Sequence, residues 1–305
     1  MESIVRVEHL SHRYTVDWAI QDINFEVNRK GILGLLGSNG AGKSTTMNII
    51  CGVLNQTDGT VYINGIDTRK NSVEAKKNIG FLPQKPPLYP DHTVDEYLTF
   101  AAEMRLMDPK KIKQAVEIAK ERCSIAHFSK RLIRNLSGGY QQRLGIAQAI
   151  VHNPKFVVLD EPTNGLDPNQ IVEIRNLIKQ IAQERTVILS THILPEVQAT
   201  CEYIYMVEKG KMVFSGTVDE FDNYILPTTI RVTLLAHPTV EELTMIPGLV
   251  AAQHLGEMDY RLQFADARNM VDEIIETCGI HNWRLSQIYM EKSSLDVVFA
   301  ELSKK

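Results

Sequence analysis

The sequence predicts an α/β fold built on a mainly parallel sheet, followed by a smaller α+β domain. Short, continuously apolar runs at 31–36, 156–159 and 186–189 are typical of strands buried on both faces. Segments with helical periodicity separate these runs, and such alternation favours a parallel sheet with helices on its faces. After about residue 222 the rhythm changes to strands alternating with short helices, which indicates a second domain.

Length and composition are those of an ordinary globular protein. With 305 residues, of which 44% are hydrophobic and 23% charged, the chain is long enough for two domains. Hydrophobic cores of that size need no disulfides or metal ions to be stable. The net charge of −4 provides no strong field that would draw the surface to nucleic acid, so we expect no nucleic-acid partner. The cysteines are scattered without metal-ligand or redox spacing and are expected to be reduced, buried thiols: Cys51, Cys123, Cys201 and Cys278.

The sequence shows neither a signal peptide nor a membrane span. The segment 1–6 has no basic region followed by an apolar run, and no stretch of about 18 residues is apolar and free of charge. If the protein serves a membrane, we expect another chain to supply the spanning segments.

The elements of the first domain are predicted from alternation and periodicity. In chain order we expect strands at 4–10, 20–27 and 31–36, a helix after Lys43, a strand and turn at 61–65, a strand and loop at 80–84, a helical region at 94–150, a strand at 156–159, a helix at 169–183, a strand at 186–189 and a hairpin at 203–216. The strands early in the chain indicate an antiparallel addition to the parallel sheet. In the helical region, Ile112, Val116 and Ala119 form an apolar stripe, and the nearby lysines are expected to form a solvated face: Lys110, Lys111, Lys113 and Lys120.

The second domain reads as a β-α-β-β-α-β unit, which predicts an open, ferredoxin-like sandwich. The elements that support it are strands at 230–234, 260–264 and 283–290, and helices at 240–245, 269–277 and 293–302. Gly279 is expected to end the second of these helices. We place the domain boundary near 222, with residues 1–222 in the first domain and 223–305 in the second.

A glycine-rich segment joins the strand at 31–36 to the following helix. It fits the pattern G-x-x-x-x-G-K-[ST] in the strand-to-helix context that a phosphate-binding loop requires, and this context argues against an accidental glycine turn. The glycines let backbone N–H groups face phosphates, and the helix N-terminus adds positive potential. Lys43 is expected to reach the β- and γ-phosphates, the Ser44 hydroxyl to bind Mg²⁺, and Thr45 to hold the α-phosphate. The predicted nucleotide-binding residues are Gly37, Ser38, Asn39, Gly40, Ala41, Gly42, Lys43, Ser44 and Thr45.

Two adjacent acids end the buried strand at 156–159. Asp160 is expected to hold Mg²⁺ through its water shell, and Glu161 to polarise the attacking water as a general base. Adjacent acids in a loop usually serve solubility alone. Here they follow a buried strand and precede Pro162, which favours the catalytic interpretation.

A second glycine signature lies at Leu136–Gln142. Ser137, Gly138 and Gly139 are typical of a cap followed by a glycine-rich helix start, which is also an anion site. A lone Ser-Gly-Gly would be interpreted as a plain helix cap. Its position between the two phosphate-associated motifs favours nucleotide binding instead.

Together these residues resemble the ATP-binding subunits of ABC transporters. Gly37–Thr45 is similar to the Walker A motif of that family, Leu136–Gln142 to its signature, and Phe156–Glu161 to its Walker B motif. Asn164–Asp167 resembles the D-loop, although the family often has Ser-Ala where this chain has Asn-Gly. The resemblance covers roughly residues 2–220.

The resemblance assigns roles to residues that would not stand out alone. Gln84 matches the Q-loop glutamine, which contacts Mg²⁺ and water and senses the membrane subunit. His192 matches the switch histidine, which contacts the γ-phosphate, and Tyr14 matches the aromatic residue that stacks on adenine. Asp167 joins the nucleotide-binding set through the D-loop match.

The resemblance also implies an architecture and partners. A RecA-like core, an antiparallel β subdomain and an α-helical subdomain at about 91–150 are expected, with ATP and Mg²⁺ as cofactors. Two copies are expected to dimerise head to tail, so that ATP on the Walker A motif of one is covered by Ser137 and Gly139 of the other. Hydrolysis would open the dimer and drive a separate membrane permease.

One subgroup of the family matches further residues. The segments Asn164–Gln170 and Thr191–Val197 resemble the ATPase subunit associated with bacterial gliding motility, and also copper- and drug-export relatives. The C-terminal run Ser294–Leu302 is similar to the final helix of ATPases that serve ABC-2-type export permeases. This similarity implies export and a position on the cytoplasmic face of a bacterial plasma membrane. Leu88 and Tyr89, in the stiff segment 86–90, are expected to line the groove that receives a short permease helix.

Two alternatives remain at this point. A soluble, non-transport ABC ATPase acting on a macromolecular complex usually has two ATPase halves or a long coiled-coil insert, and this chain has neither feature. The other alternative is a regulatory module whose C-terminal domain binds a ligand, which the β-α-β-β-α-β pattern permits.

Overall fold

The computed structural model describes residues 3–225, 228–291 and 295–304, the last range with side chains from Val297 onward. The chain divides into two compact units, one ending at Val218 and the other spanning Asp219–Lys304. Among the described helices, none combines the length and the apolar character needed to span a membrane.

The elements of the first unit follow the predicted order, with β5, α2 and α7 as additions. Its strands are β1 (Val5–Arg13), β2 (Trp18–Val27), β3 (Gly31–Leu36), β4 (Asp58–Ile63), β5 (Ile66–Asp67), β6 (Ile79–Leu82), β7 (Phe156–Asp160), β8 (Thr186–Thr191), β9 (Tyr203–Glu208) and β10 (Lys211–Thr217). Its helices are α1 (Lys43–Ile50), α2 (Ser72–Lys77), α3 (Val94–Met104), α4 (Pro109–Arg122), α5 (Gly138–Ile150), α6 (Pro168–Ala182) and α7 (Leu194–Thr200).

A six-stranded sheet in the order β10-β9-β3-β8-β7-β6 forms the centre of the unit. Strands β9, β3, β8, β7 and β6 are parallel, and β10 returns antiparallel to β9 as the predicted hairpin. The predicted mainly parallel sheet is therefore confirmed. Because parallel strands end at the same edge, the loops after β3, β6, β7 and β8 emerge together.

The predicted antiparallel addition is a separate four-stranded sheet in the order β2-β1-β4-β5. One hydrophobic cluster joins its inner face to the parallel sheet and to α1. The cluster contains Val5, Ile20 and Phe25 from the antiparallel sheet and Leu33 and Val158 from the parallel one, among others. This shared core fixes the glycine-rich loop between the two sheets.

The helical region contains α3, α4 and α5, with two turns of 3-10 helix between α4 and α5. Thr93 and Glu96 form a reciprocal capping box at the start of α3. Asp108 caps α4, and Pro109 occupies its first position, where a missing N–H does no harm. These local signals explain why both helices begin where they do.

The predicted solvated lysine face of α4 is wrong for Lys120, whose side chain is only 1% exposed. Its Nζ donates hydrogen bonds to Asp95, to Glu117 at 2.8 Å and to the Ser129 hydroxyl at 2.8 Å. Three acceptors from separate turns of the chain satisfy the ammonium group, so burial is tolerated. Lys110, Lys111 and Lys113 are exposed, as predicted.

The four cysteines are buried thiols without disulfide partners, as predicted: Cys51, Cys123, Cys201 and Cys278. Burial raises the pKa of Cys123 to about 12. Such a thiol stays protonated at neutral pH and behaves as a small core residue.

The second unit contains α8 (Val218–Asp222) at its start, then β11 (Thr229–Leu234), α9 (Val240–Leu243), β12 (Leu249–Gly256), β13 (Asp259–Phe264), α10 (Met270–Ile280), β14 (Leu285–Glu291) and α11 (Leu295–Leu302). Its antiparallel sheet has the order β12-β13-β11-β14, which is the split β-α-β arrangement. Alternate residues of β11 and β13 point into the core with Ile274 of α10. Strand β12 has no clean alternation, and the sequence did not single it out.

The expected helix stop at Gly279 is wrong. Helix α10 continues to Ile280, and the residue with left-handed backbone conformation is Asn282, at φ 55°. The Trp283 amide donates to the Cys278 carbonyl, which closes the helix end beyond the glycine. For the expected helix at 293–302, Ser293 and Ser294 lie outside the described residues, and the described part of the helix is α11.

Candidate functional site

An open cleft of about 710 Å³ lies where the loops after β3, β6, β7 and β8 meet. Elements far apart in sequence contribute to it, because the carboxyl ends of the parallel strands share one edge. The residues that line it are Tyr14, Ala19, Asn39, Gly40, Gly42, Lys43, Ser44, Thr45, Gln84, Glu161, Asn164 and His192.

The glycine-rich loop packs closely against neighbouring residues at two of its glycines. A Cβ on Gly37 would lie 2.1 Å from the Val207 carbonyl oxygen, so no side chain fits there. Gly42 has φ +109°, and a Cβ on it would lie 2.5 Å from Ile20 Cγ2. Glycine at these positions lets the loop backbone follow its path into α1.

Lys43 is buried beneath this loop. Its Nζ donates to the carbonyl oxygens of Gly37 at 2.8 Å and Ser38 at 2.9 Å. Burial lowers the pKa of Lys43, and the nearby carboxylates of Glu161, Asp160 and Glu208 oppose that effect. The lysine is therefore held in place before any anion arrives.

The loop also has a partner that sequence reasoning missed. Glu208, at the end of β9, accepts hydrogen bonds from the Ser38 amide at 3.2 Å and the Ser38 hydroxyl at 2.7 Å. The two residues are 170 positions apart, and only the β3–β9 pairing brings them together. An acid at the end of a strand provides no signal of this contact in sequence.

Asp160 lies behind the cleft at the end of β7 and is almost fully buried. Burial raises the pKa of Asp160, and the nearby hydroxyls of Ser190 and Ser44 oppose that effect. Its Oδ1 is buried and accepts no hydrogen bond within the described ranges. An unpartnered carboxylate oxygen near a serine hydroxyl is the kind of hard oxygen set that Mg²⁺ binds, so these residues fit the ion.

Glu161 lies at the centre of the site. Its Oε1 is 2.9 Å from His192 Nδ1, and its Oε2 accepts from Gln84 Nε2 at 3.4 Å. Asn164 Nδ2 also donates to Oε2, at 3.3 Å. The sequence placed Asn164 within the D-loop match but did not single it out as a site residue.

Tyr14 borders the cleft at its open end and is 63% exposed. Its hydroxyl lies 3.3 Å from the Thr45 hydroxyl, and its ring packs edge-on against His12. The exposed Tyr14 ring, held by these two contacts, presents a flat apolar face beside the glycine-rich loop.

Seven predicted nucleotide-binding residues do not line this cleft. Three of them belong to the glycine-rich loop beside it: Gly37, Ser38 and Ala41. The other four lie in the signature and the D-loop: Ser137, Gly138, Gly139 and Asp167. Ser137 is the N-cap residue of α5 but makes no side-chain cap hydrogen bond. Asp167 caps α6 by accepting from the Gln170 amide at 2.9 Å. A Cβ on Gly139 would lie 2.7 Å from the Gln170 side chain, so the signature adjoins the first turn of α6, the helix that Asp167 caps. The predicted residues thus form two groups.

The chain is similar in sequence to known ATP-binding proteins of transporters. Residues 20–164 match the family model described as "ABC transporter". The chain is 35% identical over 215 residues to the bacitracin transport ATP-binding protein BcrA of Bacillus licheniformis, with 70% of this chain and 69% of BcrA covered. It is 34% identical to the lipopolysaccharide export system ATP-binding protein LptB of Haemophilus influenzae, with 72% and 93% covered.

Two further comparisons concern a relative that matches the whole chain and a solved structure. The linearmycin resistance ATP-binding protein LnrL of Bacillus subtilis is 27% identical over 98% of both chains, so the similarity includes the second unit. The solved structure of cbiO1 from Clostridium perfringens, part of an ABC transporter complex, superposes with a TM-score of 0.65 at 29% identity, covering 72% of this chain and 90% of cbiO1.

The fold and the cleft define a nucleotide-binding ATPase of the phosphate-binding-loop class. The chain belongs to the ABC transporter ATP-binding family. It is an ATP-binding subunit whose ATPase activity drives a membrane permease. The comparisons do not favour a soluble, non-transport ABC ATPase.

Proposed function

We propose that two copies of this chain enclose ATP and Mg²⁺ between them, and that hydrolysis at this shared site drives an export permease. The observation that carries the proposal is the separation of the two residue groups. The cleft contains Lys43 and Glu161, whereas Ser137 and Gly139 lie outside it. A second copy placed head to tail would bring its signature to the open side of the cleft.

In this proposal the glycine-rich loop binds the phosphates. Backbone N–H groups from Asn39 to Thr45 and the start of α1 face the anion, and Lys43 adds a positive charge close to the β- and γ-phosphates. Tyr14 stacks on the adenine ring. Ser137, Gly138, Gly139 and Asp167 of the second copy complete the enclosure.

The residues that would hold Mg²⁺ are Ser44, Asp160 and Gln84. The unpartnered Asp160 Oδ1 supports this assignment, since a buried carboxylate oxygen needs a compensating partner. When bound, the ion would neutralise charge on the phosphate oxygens.

Glu161 is the proposed general base for the attacking water. Its side chain lines the cleft, and His192 Nδ1 holds one carboxylate oxygen at 2.9 Å. His192 also lines the cleft and is the proposed contact for the γ-phosphate. The proposed base and the proposed γ-phosphate contact therefore form one hydrogen-bonded pair, which would place the attacking water beside the γ-phosphate.

The permease is proposed to dock beside the Q-loop. An apolar groove of about 380 Å³ there is lined by residues that include Val53, Phe81, Met104 and Leu106. Close in sequence to Gln84, the exposed ring of Tyr89 packs edge-on against Phe100. Leu88 and Tyr89 would extend the contact surface for a short permease helix.

The relatives support the export role and the location in this proposal. Proteins named for bacitracin transport, linearmycin resistance and lipopolysaccharide export are all similar to this chain, which supports an export role at the cytoplasmic face of a bacterial plasma membrane. The ATPase domain would comprise residues 1–222, with its helical subdomain at about 91–150, and residues 223–305 would form an accessory α+β domain.

The shared site is tested by the mass of the Glu161→Gln variant in solution. With Mg²⁺ and ATP, size-exclusion chromatography with light scattering should show a dimer, whereas ADP should leave a monomer. Two results together would contradict the proposal: a Glu161→Gln variant that stays monomeric with ATP, and a wild-type hydrolysis rate strictly proportional to the protein concentration.

A further inference from the structure

Glu196 is a buried carboxylate to which none of the motifs described above assigns a role. It lies in the first turn of α7, four residues after His192, and its side chain is 2% exposed. A carboxylate is rarely buried so completely unless its oxygens are satisfied. Its partners therefore indicate what it does.

One oxygen of Glu196 joins two loops. Oε2 accepts a hydrogen bond from the Thr163 hydroxyl at 2.8 Å and another from the Thr191 hydroxyl at 3.1 Å. The Thr191 hydroxyl oxygen in turn accepts from the Ile193 amide at 3.0 Å. Since an ionised carboxylate only accepts, both hydroxyls must donate to it, and their orientations are fixed.

The positive group nearest to the other oxygen is Arg175. Its Nη2 is 3.6 Å from Oε1, which balances the buried charge without a hydrogen bond of ordinary geometry. The carboxylate is thus held by α6 on one side and by two loop hydroxyls on the other.

The two threonines flank the proposed catalytic pair. Thr163 lies two residues after Glu161, and Thr191 lies immediately before His192. Glu161 has a left-handed backbone, at φ 47°, which a residue with a Cβ adopts only when its surroundings hold it there. The Glu161 amide donates to the Ser190 carbonyl, and the Glu196 contacts fix the loop on the other side.

We propose that Glu196 is a positioning residue that locks the loop after β7 to the loop after β8, so that Glu161 and His192 stay within hydrogen-bonding distance. The proposal rests on the proposed roles of Glu161 and His192. It predicts that loss of Glu196 slows hydrolysis without weakening ATP binding, because the partners of Glu196 are Thr163, Thr191 and Arg175 rather than residues of the glycine-rich loop.

The test compares Glu196→Ala, Glu196→Gln and Thr163→Val in the full chain. Steady-state ATPase kinetics give kcat, and the dissociation constant of ATP is measured separately. Thr200→Val is the matched control, since Thr200 is also buried on α7 but its hydroxyl has no hydrogen-bond partner among the described residues. Thermal melts establish that each variant is folded.

We expect Glu196→Ala and Thr163→Val to lower kcat about 10-fold, the scale of a lost charge-assisted hydrogen bond, with ATP affinity unchanged within about twofold. Glu196→Gln keeps a carbonyl oxygen for both hydroxyls and should recover most of the lost rate. Thr200→Val should match the wild type, and the Glu196→Ala, Thr163→Val double variant should be no slower than Glu196→Ala alone.

Three results would overturn the proposal: wild-type kcat in Thr163→Val, multiplicative losses in the double variant, or a Glu196→Gln variant as slow as Glu196→Ala. Glu161→Gln is assayed in parallel. Near-normal turnover in that variant would instead contradict the proposed function, so the two failures are distinguishable.

Discussion

His192 Nδ1 lies 2.9 Å from Glu161 Oε1, although 31 residues separate them in sequence. The two residues follow β7 and β8, whose parallel pairing aligns Asp160 with Ser190. The pairing of adjacent strands therefore creates the contact, and each residue lies one position beyond the end of its strand. Among the described residues, the side chain that forms an ion pair with this carboxylate is His192 rather than a lysine or arginine, which suits a base that accepts a proton from water.

Glu161→Gln should abolish turnover and retain ATP binding. The amide keeps the size of the side chain but does not accept a proton, so we expect kcat to fall at least about 100-fold, the usual contribution of a general base. ATP hydrolysis and ATP binding are measured on the same preparation. Glu241→Gln, at an exposed glutamate in the second unit, is the control and should behave as the wild type. Turnover near that of the wild type would remove Glu161 from its proposed role.

Lys43→Ala should weaken ATP binding itself. The variant loses a buried charge held 2.8 Å from the Gly37 carbonyl oxygen, at the proposed phosphate site, so the dissociation constant of ATP should rise about 10- to 100-fold. Isothermal titration measures it. Lys155→Ala removes an exposed lysine at the opposite edge of the sheet and should change nothing. Equal affinity in Lys43→Ala and the wild type would contradict the assignment.

Ser137→Arg should spare ATP binding and block hydrolysis. Ser137 is exposed and makes no cap hydrogen bond in its own chain, so an arginine is accommodated in the monomer but obstructs a second copy. Ser286→Arg, at an exposed serine of β14, is the matched control. Mixing Ser137→Arg with Lys43→Ala should restore turnover, because a mixed dimer contains one intact site. A mixture as inactive as either variant, beside a fully active wild-type monomer, would rule out the shared site.

Tyr89→Ala should uncouple the ATPase from its permease. Tyr89 is 48% exposed and packs against His92, Tyr97 and Phe100, so its removal flattens the proposed docking surface without opening the core. Basal ATPase should persist, and stimulation by the co-purified permease should fall. Tyr289→Ala, at a tyrosine 47% exposed in the second unit, is the control. Unchanged stimulation in Tyr89→Ala would exclude this surface.

Lys120→Ala should destabilise the first unit by about 1–3 kcal/mol, because Asp95 and Glu117 lose a charged donor and the buried stem leaves a gap. Burial alone lowers the pKa of Lys120, but the hydrogen bonds that it donates to the Asp95 and Glu117 carboxylates outweigh burial and leave that pKa raised. A raised pKa means that the stabilisation is present at neutral pH and is lost as pH rises above roughly 10.4.

Urea unfolding at pH 7 and at higher pH measures this difference. Lys113→Ala, on the exposed face of the same helix, should stay within about 0.5 kcal/mol of the wild type. Equal stability of Lys120→Ala and Lys113→Ala would show that the buried hydrogen bonds contribute nothing net.

Much of the fold was predictable because its signals are local. The apolar runs of β3, β7 and β8 are continuous since both faces of the sheet are covered, and the glycine-rich loop follows one of them directly. The burial of Lys120 was not predictable from local signals. Its position on α4 matches that of its exposed neighbours, and only the approach of Asp95 and Ser129 from other turns makes burial possible.

The sequence by itself determined the class of site. Three local features predict it: a glycine-rich loop, paired acids after a buried strand and a second glycine signature. Each depends on residues that are adjacent in the chain, so each can be recognised without the fold. Only the tertiary structure decided which residues touch. Strand order brings Glu208 to Ser38 and Glu196 to Thr163, since hydrogen bonds between distant residues depend on which strands are neighbours. Strand order is a property of the whole packed sheet, and no segment of the chain encodes it alone.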